Sequence, residues 1–318
     1  MAAALRRGIR QWMDSQSVLE VFTPILSQHA TTDPHVHSVR TTEHRYLHTS
    51  PEFAMKRLLA AHACEGGAEA SSSSQSDLYQ IVPVFRAGES GRFHNGEFTL
   101  LEWYRLGMTH HDLMDDVENL LAAVCPLFSK PWPGAEKKRY GVEVRQRLGV
   151  WPEQASVSMI QQYFESKERP FATAIGTDVD AALDLFMDEF VLPDFSTTRF
   201  TFLQDYPVSQ AALARIGKDE DDRPVAERFE VYFGRVELAN GFHELSDGAA
   251  QAQRFEQDLA KRDAMGLESV PIDIHLLDAL LAGFPHCAGI AMGLERLHMV
   301  LGEHDHISQV VSFDDERA

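Results

Sequence analysis

Three cysteines in 318 residues, Cys64, Cys125 and Cys287, are too few and too scattered for a disulfide framework or a metal-binding set. Such sparse, unpaired cysteines suit a reducing compartment, so a cytoplasmic location is expected. No apolar run reaches the roughly 20 residues of a membrane-spanning helix, which excludes a helical membrane protein. Basic residues are scarce as well: 29 Lys and Arg stand against 48 Asp and Glu, a net charge of −19. Nucleic-acid backbones are gripped by clustered positive charge, so the balance argues against a broad nucleic-acid-binding face. Only local basic patches remain, around Lys56-Arg57 and Arg86/Arg92. The chain also lacks a Gly-x-Ser-x-Gly elbow, a Gly-Lys-Ser/Thr phosphate loop and a Gly-x-Gly-x-x-Gly turn. Nucleotide binding must come from another framework.

The N-terminal stretch is basic and amphipathic like a transit peptide, yet Leu5, Ile9, Trp12 and Met13 fit one face of an ordinary first helix. Residues 18–24 read as a short strand ended by Pro24. Residues 52–63 form a helix with Phe53, Met55, Leu58 and Leu59 on its apolar side. A Gly/Ser-rich stretch at 64–77 is expected to be a flexible surface loop. Residues 78–85 and 97–105 are β-rich and predict an antiparallel hairpin with a long connection. A helix follows over 109–125. Residues from about 140 to 195 mix weak helices with proline breaks and read as a helical insertion. Strands return at 199–204, 228–233 and 236–242, the last two turning at Gly234. Ser246 is expected to cap a helix running to about 265, and 273–282 forms another. Hairpins interrupted by helices, without βαβ alternation, indicate one α+β domain over 1–318, an antiparallel sheet flanked by helices.

Two arginine-bearing segments carry most of the chemical signal. The first runs from Phe85-Arg86 through Glu97-Phe-Thr-Leu-Leu-Glu-Trp-Tyr104, and the second is Gly289-Ile-Ala-Met-Gly-Leu-Glu-Arg296. Arginine suits phosphate because its planar fork holds several fixed donors and stays charged. Arg296 falls in the opening turn of a helix, where the helix dipole adds to its charge. Strand alternation over 97–105 puts Phe98, Leu100, Glu102 and Tyr104 on one face. Glu102 is then either a solvated edge-strand acid or, with Tyr104, a receiver for a cationic group. The loop at 86–95 is rich in hydrogen-bonding groups, as a loop folded over a nucleotide would be. Glu237 and Glu244 are hard oxygen donors suited to Mg²⁺, although spacing alone equally describes two surface acids. His110-His111 and His304/His306 complete no tetrahedral set and read as structural or solvated.

Together these segments resemble the catalytic core of class II lysyl-tRNA synthetases, and most of all the stand-alone protein-ligase branch of that family. The resemblance covers nearly the whole chain, the Ser-rich loop excepted. Residues 18–24 are similar to motif 1, which places Pro24 at a homodimer interface. Residues 85–104 resemble motif 2, and 289–296 motif 3. Thr49-Ser50-Pro51-Glu52 looks like the amino-acid-binding turn, and Glu237-Leu238 through Glu244 like the lysine-type signature.

The resemblance implies roles residue by residue. Arg86 would hold the α-phosphate of ATP and Arg296 the γ-phosphate. Gly88, Glu89, His94, Asn95, Leu238 and Gly293 would complete the ATP site, with Glu237 and Glu244 near Mg²⁺ or the substrate amine. Ser50, Pro51, Glu52, Glu102, Tyr104, Glu244 and Ala291 would receive the amino acid. The implied enzyme is a cytoplasmic homodimer that uses ATP and Mg²⁺ to activate (R)-β-lysine, or lysine, as an aminoacyl-adenylate. It would then transfer the aminoacyl group to a lysine ε-amine of elongation factor P. Three features favour that protein acceptor over tRNA. The chain opens at the first catalytic helix, with no anticodon-binding domain expected. Its charge is acidic, and Ala291 stands where the synthetases have glycine. Two alternatives are a lysyl-adenylate former that charges tRNA or another acceptor, and a non-catalytic synthetase-like regulatory protein. Two positions depart from the family pattern: Gly88 occupies the usual acid position of motif 2, with Glu89 one residue later, and Gly96 replaces a proline.

Overall fold

The fold is that of a computed structural model, which describes residues 1–65, 76–172, 175–314 and 317, the side chains of 62–65 excepted. Most of the expected 64–77 loop therefore lies outside the described residues. In chain order the first elements are α1 (Ala2–Ser15), the two-residue strands β1 (Leu19–Glu20), β2 (Leu26–Ser27) and β3 (Tyr46–Leu47), and α2 (Glu52–Glu65). Then come β4 (Leu78–Phe85), β5 (Glu97–Leu106) and α3 (His110–Val124). The middle holds β6 (Ala135–Arg139), α4 (Tyr140–Leu148), α5 (Val157–Ser166), α6 (Val179–Phe186), β7 (Phe200–Tyr206), β8 (Ile216–Lys218), β9 (Pro224–Phe233) and β10 (Val236–His243). The chain closes with α7 (Gly248–Ala264), α8 (Ile274–Ala282), β11 (Cys287–Gly293) and α9 (Leu294–Leu301). The chain divides into two compact units, Met1–Trp132 with His243–Ala318, and Pro133–Phe242.

In the first unit the strand order is β1-β4-β5-β11, antiparallel except where β1 runs parallel to β4. The expected hairpin is present, with Phe85 opposite Glu97 and Leu78 opposite Tyr104. β5 lies between β4 and β11, so its residues 100–105 are buried and Glu102 is not on an edge. One face of β5 is fastened to α3. Trp103 donates its indole N–H to Asp116 at 3.0 Å, and Arg105 reaches both oxygens of the same carboxylate at 2.7 and 3.0 Å. Alternation then turns Glu102 and Tyr104 to the opposite face. α3 starts where the sequence suggested, with a capping box between Thr109 and Asp112.

Several boundaries differ from expectation. Of the strand expected over 18–24, only Leu19–Glu20 pairs as a strand, and Val21 adds one further bond by donating its N–H to the Tyr79 carbonyl at 2.8 Å. The helix expected to be capped by Ser246 is capped by Asp247, whose carboxylate accepts the N–H groups of Ala249 and Ala250 at 2.9 and 3.0 Å. Lys56 does not form a basic surface patch with Arg57. It is 1% exposed, while Arg57 is exposed.

The second unit orders its strands β10-β9-β7-β6, with β8 added beside β9. The helical stretch expected at about 140–195 supplies α4, α5 and α6, whose Tyr140, Ile160, Phe164 and Phe186 form an aromatic-rich core with Phe195 and Leu203. Gly234 makes the expected turn between β9 and β10 with a left-handed φ of 56°. Inside this unit Glu230 is gripped by Arg228 and by the hydroxyl of Tyr232.

Candidate active site

An acid pocket is built in the first unit from four stretches of chain. Pro51 is buried, and the preceding Ser50 accepts the N–H of Glu52, the first residue of α2, at 3.1 Å. The same Ser50 hydroxyl donates to Glu102 Oε2 at 2.6 Å. Tyr104 donates to Glu102 Oε1 at 2.8 Å, so both oxygens of this carboxylate meet a hydroxyl. The register of β5 and β11 sets Gly289 opposite Tyr104 and Ala291 opposite Glu102. Glu244 follows β10 and is tied to β11 by its N–H, which donates to the Cys287 carbonyl at 3.0 Å.

Gly289 is a close-approach glycine. A Cβ at that position would overlap both Glu244 Oε1 and the Tyr104 ring. The missing side chain is therefore what lets Glu244 and Tyr104 meet across the strand. Ala291 sits on the same face, its methyl packed near Val82, Val84 and Leu100.

Sequence reasoning missed the residue at the centre. Lys56 lies one helical turn after Glu52 and is buried at 1% exposure. Its ammonium sits 2.7 Å from Glu52 Oε1 and 2.5 Å from Glu244 Oε2. A signal was available in the i,i+4 spacing of Glu52 and Lys56, but the neighbouring Arg57 made the pair read as surface charge. Burial alone would lower the Lys56 pKa, yet the Glu244 and Glu52 carboxylates hold it above its ordinary value. Burial pushes Glu102 up to about 8, with the charges of Glu52 and Glu244 adding to the rise and the two hydroxyls opposing it. Burial likewise raises Glu244 to about 7 against the pull of Lys56. Tyr104 is held protonated by burial and by the Glu102 carboxylate. Three carboxyl groups and one ammonium thus share a space that solvent hardly reaches. Such a space strongly favours a cationic ligand.

The second half of the site gathers positive charge. Arg86 ends the β4 side of the hairpin; its N–H donates to the Gly96 carbonyl at 2.9 Å and its guanidinium lies over the Phe98 ring at 5.1 Å. Arg296 stands in the first turn of α9, just after the N-cap Gly293, and its Nε donates to the Phe93 carbonyl at 3.0 Å. His94 lies within the field of both guanidiniums: burial lowers its pKa first, then Arg296 and Arg86, while Glu89 opposes them. Asn95 is buried and anchors the loop by donating to the Glu97 carbonyl at 2.7 Å. Two arginines and a histidine converging at a helix N-terminus are the donor set that polyphosphate needs. The departure at Gly88 has a local explanation. Gly88 takes a left-handed φ of 81°, and the turn it makes brings Glu89 back to Arg86 at 3.5 Å. Glu237 and Leu238 belong to the second unit: Glu237 faces Tyr232 across the β9–β10 ladder at a bulge, and Leu238 is buried.

Comparison with known proteins fits this arrangement. The family model for class II tRNA synthetases (D, K and N) matches residues 1–317. The chain belongs to the class II tRNA synthetase family. Relatives within the family are close and nearly full length. A Photobacterium profundum protein named elongation factor P–(R)-β-lysine ligase is 42% identical, over 98% of this chain and 93% of its own length. Proteins of the same name from Vibrio cholerae and Salmonella arizonae are 41% and 40% identical, over 99% of this chain and 94% of theirs. As a class II synthetase-type chain, the protein has the expected α+β architecture, and the segments that resemble motif 2 and motif 3 form the β4–β5 hairpin and the β11–α9 junction. Among the described residues no helix is long and apolar enough to cross a membrane.

Proposed function

We propose that the protein is an ATP-dependent ligase that activates (R)-β-lysine and transfers it to a lysine ε-amine of elongation factor P. The observation that carries this reading is the buried group of Glu52, Glu102 and Glu244 around one internal ammonium. Three acids beside one internal cation can balance two further positive charges once a ligand displaces the protons that burial favours on Glu102 and Glu244. A diamino acid brings both, and a monoamino acid would leave a buried carboxylate unpaired at a cost of about 1–3 kcal/mol or more. The names of relatives at about 40% identity over nearly the full length support the same substrate and acceptor.

The chemistry follows from charge placement, with no covalent step on a side chain. The acid pocket holds the two ammonium groups and leaves the substrate carboxylate as the nucleophile. One of its oxygens attacks the α-phosphorus of ATP, and the bond to pyrophosphate breaks. Arg86 and Arg296 neutralise charge that develops on the phosphates, as preorganised donors do. Mg²⁺ would share that task, with Glu237 a carboxylate the sequence offers to it. In the second half-reaction the acceptor amine attacks the activated carbonyl carbon, the bond to AMP breaks, and the amine loses a proton.

A protein acceptor is favoured over tRNA by the net charge of −19. The action is assigned to the cytoplasm on the cysteine usage. A homodimer through the Pro24 segment is supported by exposed apolar surface there. Phe22 is 81% exposed beside a groove of about 590 Å³ lined by Pro24, Arg57, Leu58 and Ala279. The direct test of activation is ATP–pyrophosphate exchange with (R)-β-lysine, α-lysine and norleucine. Exchange should be fastest with (R)-β-lysine and absent with norleucine. Equal exchange with norleucine would refute the acid-pocket reading.

A further inference from the structure

We infer that Glu295 is a positioning residue for ATP. Its carboxylate fixes the point at which β11 ends and α9 begins, and so fixes where Arg296 presents its guanidinium. The inference rests on reading Arg296 as a holder of the ATP polyphosphate, and it concerns a residue that touches no substrate in that reading.

In an antiparallel pair, alternate residues of a strand turn their N–H and C=O groups toward a given neighbour. Beside β5 the set that faces the β11 side is marked by Gly107, whose N–H donates to the His286 carbonyl at 2.8 Å. Two-residue steps back along the chain reach Arg105, Trp103, Leu101 and then Thr99. The register, with Leu100 opposite Gly293, sets Thr99 against Leu294. Leu294 is already the first residue of α9, so the strand that should meet Thr99 has ended. The Thr99 N–H donates instead to Glu295 Oε2 at 2.8 Å. A side-chain carboxylate thus takes the place of the missing ladder carbonyl.

This bond carries unusual weight at the junction. The N-cap of α9 is Gly293, which has no side chain to hold the helix start in the usual way. An acid in the first turn also meets the positive end of the helix dipole. The Glu295 side chain is 13% exposed, and its Oε1 lies 3.8 Å from Arg6 of α1, which also donates to the Thr99 hydroxyl at 3.1 Å. Arg6 is itself 44% exposed, so solvent screens its share. Arg296 comes next in the chain, and its Nε donates to the Phe93 carbonyl at 3.0 Å. One residue is therefore anchored to β5 and the next to the loop that leads into β5. Without the first anchor the helix start is free to slip, and the guanidinium moves with it.

The test is calorimetric titration of the full-length protein with ATP and Mg²⁺, with AMP, and with (R)-β-lysine. It compares Glu295→Ala, Arg296→Ala and the double variant. In Glu295→Ala the affinity for ATP should fall on the order of tenfold, as when a hydrogen bond to a charged group is removed. Affinity for AMP, which lacks the outer phosphates, and for (R)-β-lysine should hold. The double variant should bind ATP no worse than Arg296→Ala alone, because Glu295 acts through the arginine. Glu295→Gln keeps an acceptor oxygen and should restore most of the ATP affinity. Additive losses in the double variant would overturn the proposal, as would a lower melting temperature in Glu295→Ala with ATP affinity unmoved. If Glu295→Ala does not fold, Glu295→Asp, shorter by one methylene, carries the same comparison. A failure of the underlying reading looks different: Arg296→Ala alone would leave ATP affinity unchanged.

Discussion

Tyr104 donates its hydroxyl proton to Glu102 at 2.8 Å, two residues away on the same face of a buried strand. Ser50 occupies the other Glu102 oxygen, so the carboxylate is held in one orientation before any ligand arrives. Preorganisation of this kind lowers the cost of ordering on binding. It also makes Glu102 the acid whose protonation reports the state of the pocket.

The pH dependence of stability follows from Glu102. Its ordinary pKa of 4.5 is pushed up to about 8 by burial. Between those values the folded protein binds a proton that the unfolded chain has lost, so stability falls as pH rises through that window. The ligand-free protein should therefore melt at lower temperature at pH 8 than at pH 6. In Glu102→Gln the slope should shrink but not vanish, because Glu244 is raised in the same way, to about 7. Thermal unfolding across pH checks this, and equal slopes would contradict it. The same substitution should cost on the order of 2–5 kcal/mol in transition-state binding of the diamino acid, at least about 30-fold in kcat/KM.

Gly289→Ala should damage amino-acid binding selectively. The new methyl would overlap Glu244 Oε1 and the Tyr104 ring. Overpacking of this sort costs about 1–3 kcal/mol. The KM for (R)-β-lysine in pyrophosphate exchange should rise roughly 5- to 150-fold while the KM for ATP holds. A parallel rise in both would show that the effect is global and not local to the pocket.

Ala291→Gly tests isomer preference. Ala291 stands opposite Glu102, where a methyl bears on how far an ammonium group can descend. A single methyl in such a pocket is worth about 1–3 kcal/mol. We expect the ratio of exchange rates with (R)-β-lysine and α-lysine to shift toward α-lysine. An unmoved ratio would remove Ala291 from the account of selectivity.

The two arginines should fail in the opposite sense. Arg86→Lys and Arg296→Lys keep a positive charge but lose the planar fork. Exchange should drop on the order of 10²-fold or more, as for loss of one preorganised donor, with amino-acid affinity measured by calorimetry unchanged. Full activity of either variant would contradict the phosphate roles given to them.

Much of the fold was legible because local rules and tertiary contacts agree. The β4–β5 hairpin, the Thr109 cap and the Gly234 turn are each written in a few neighbouring residues. Alternation along β5 correctly paired Glu102 with Tyr104. It could not show that the strand is central, and so could not decide between a solvated acid and a buried one. Lys56 and Gly289 were opaque for a related reason. A lysine among apolar residues reads as surface charge until a distant acid, Glu244, is brought to it by the fold. The value of an absent side chain at Gly289 appears only when Tyr104 and Glu244 come from two other segments to fill the space. A cap moved by one residue where two acceptors compete, as Ser246 and Asp247 do.

The central claim is the transfer of an activated diamino acid to a protein. Its most direct test is the intact mass of elongation factor P after incubation with the enzyme, ATP, Mg²⁺ and (R)-β-lysine. The account predicts an acceptor heavier by one β-lysyl group, with no gain when Arg86→Ala or Glu244→Ala replaces the enzyme. An unchanged acceptor mass beside active pyrophosphate exchange would contradict it.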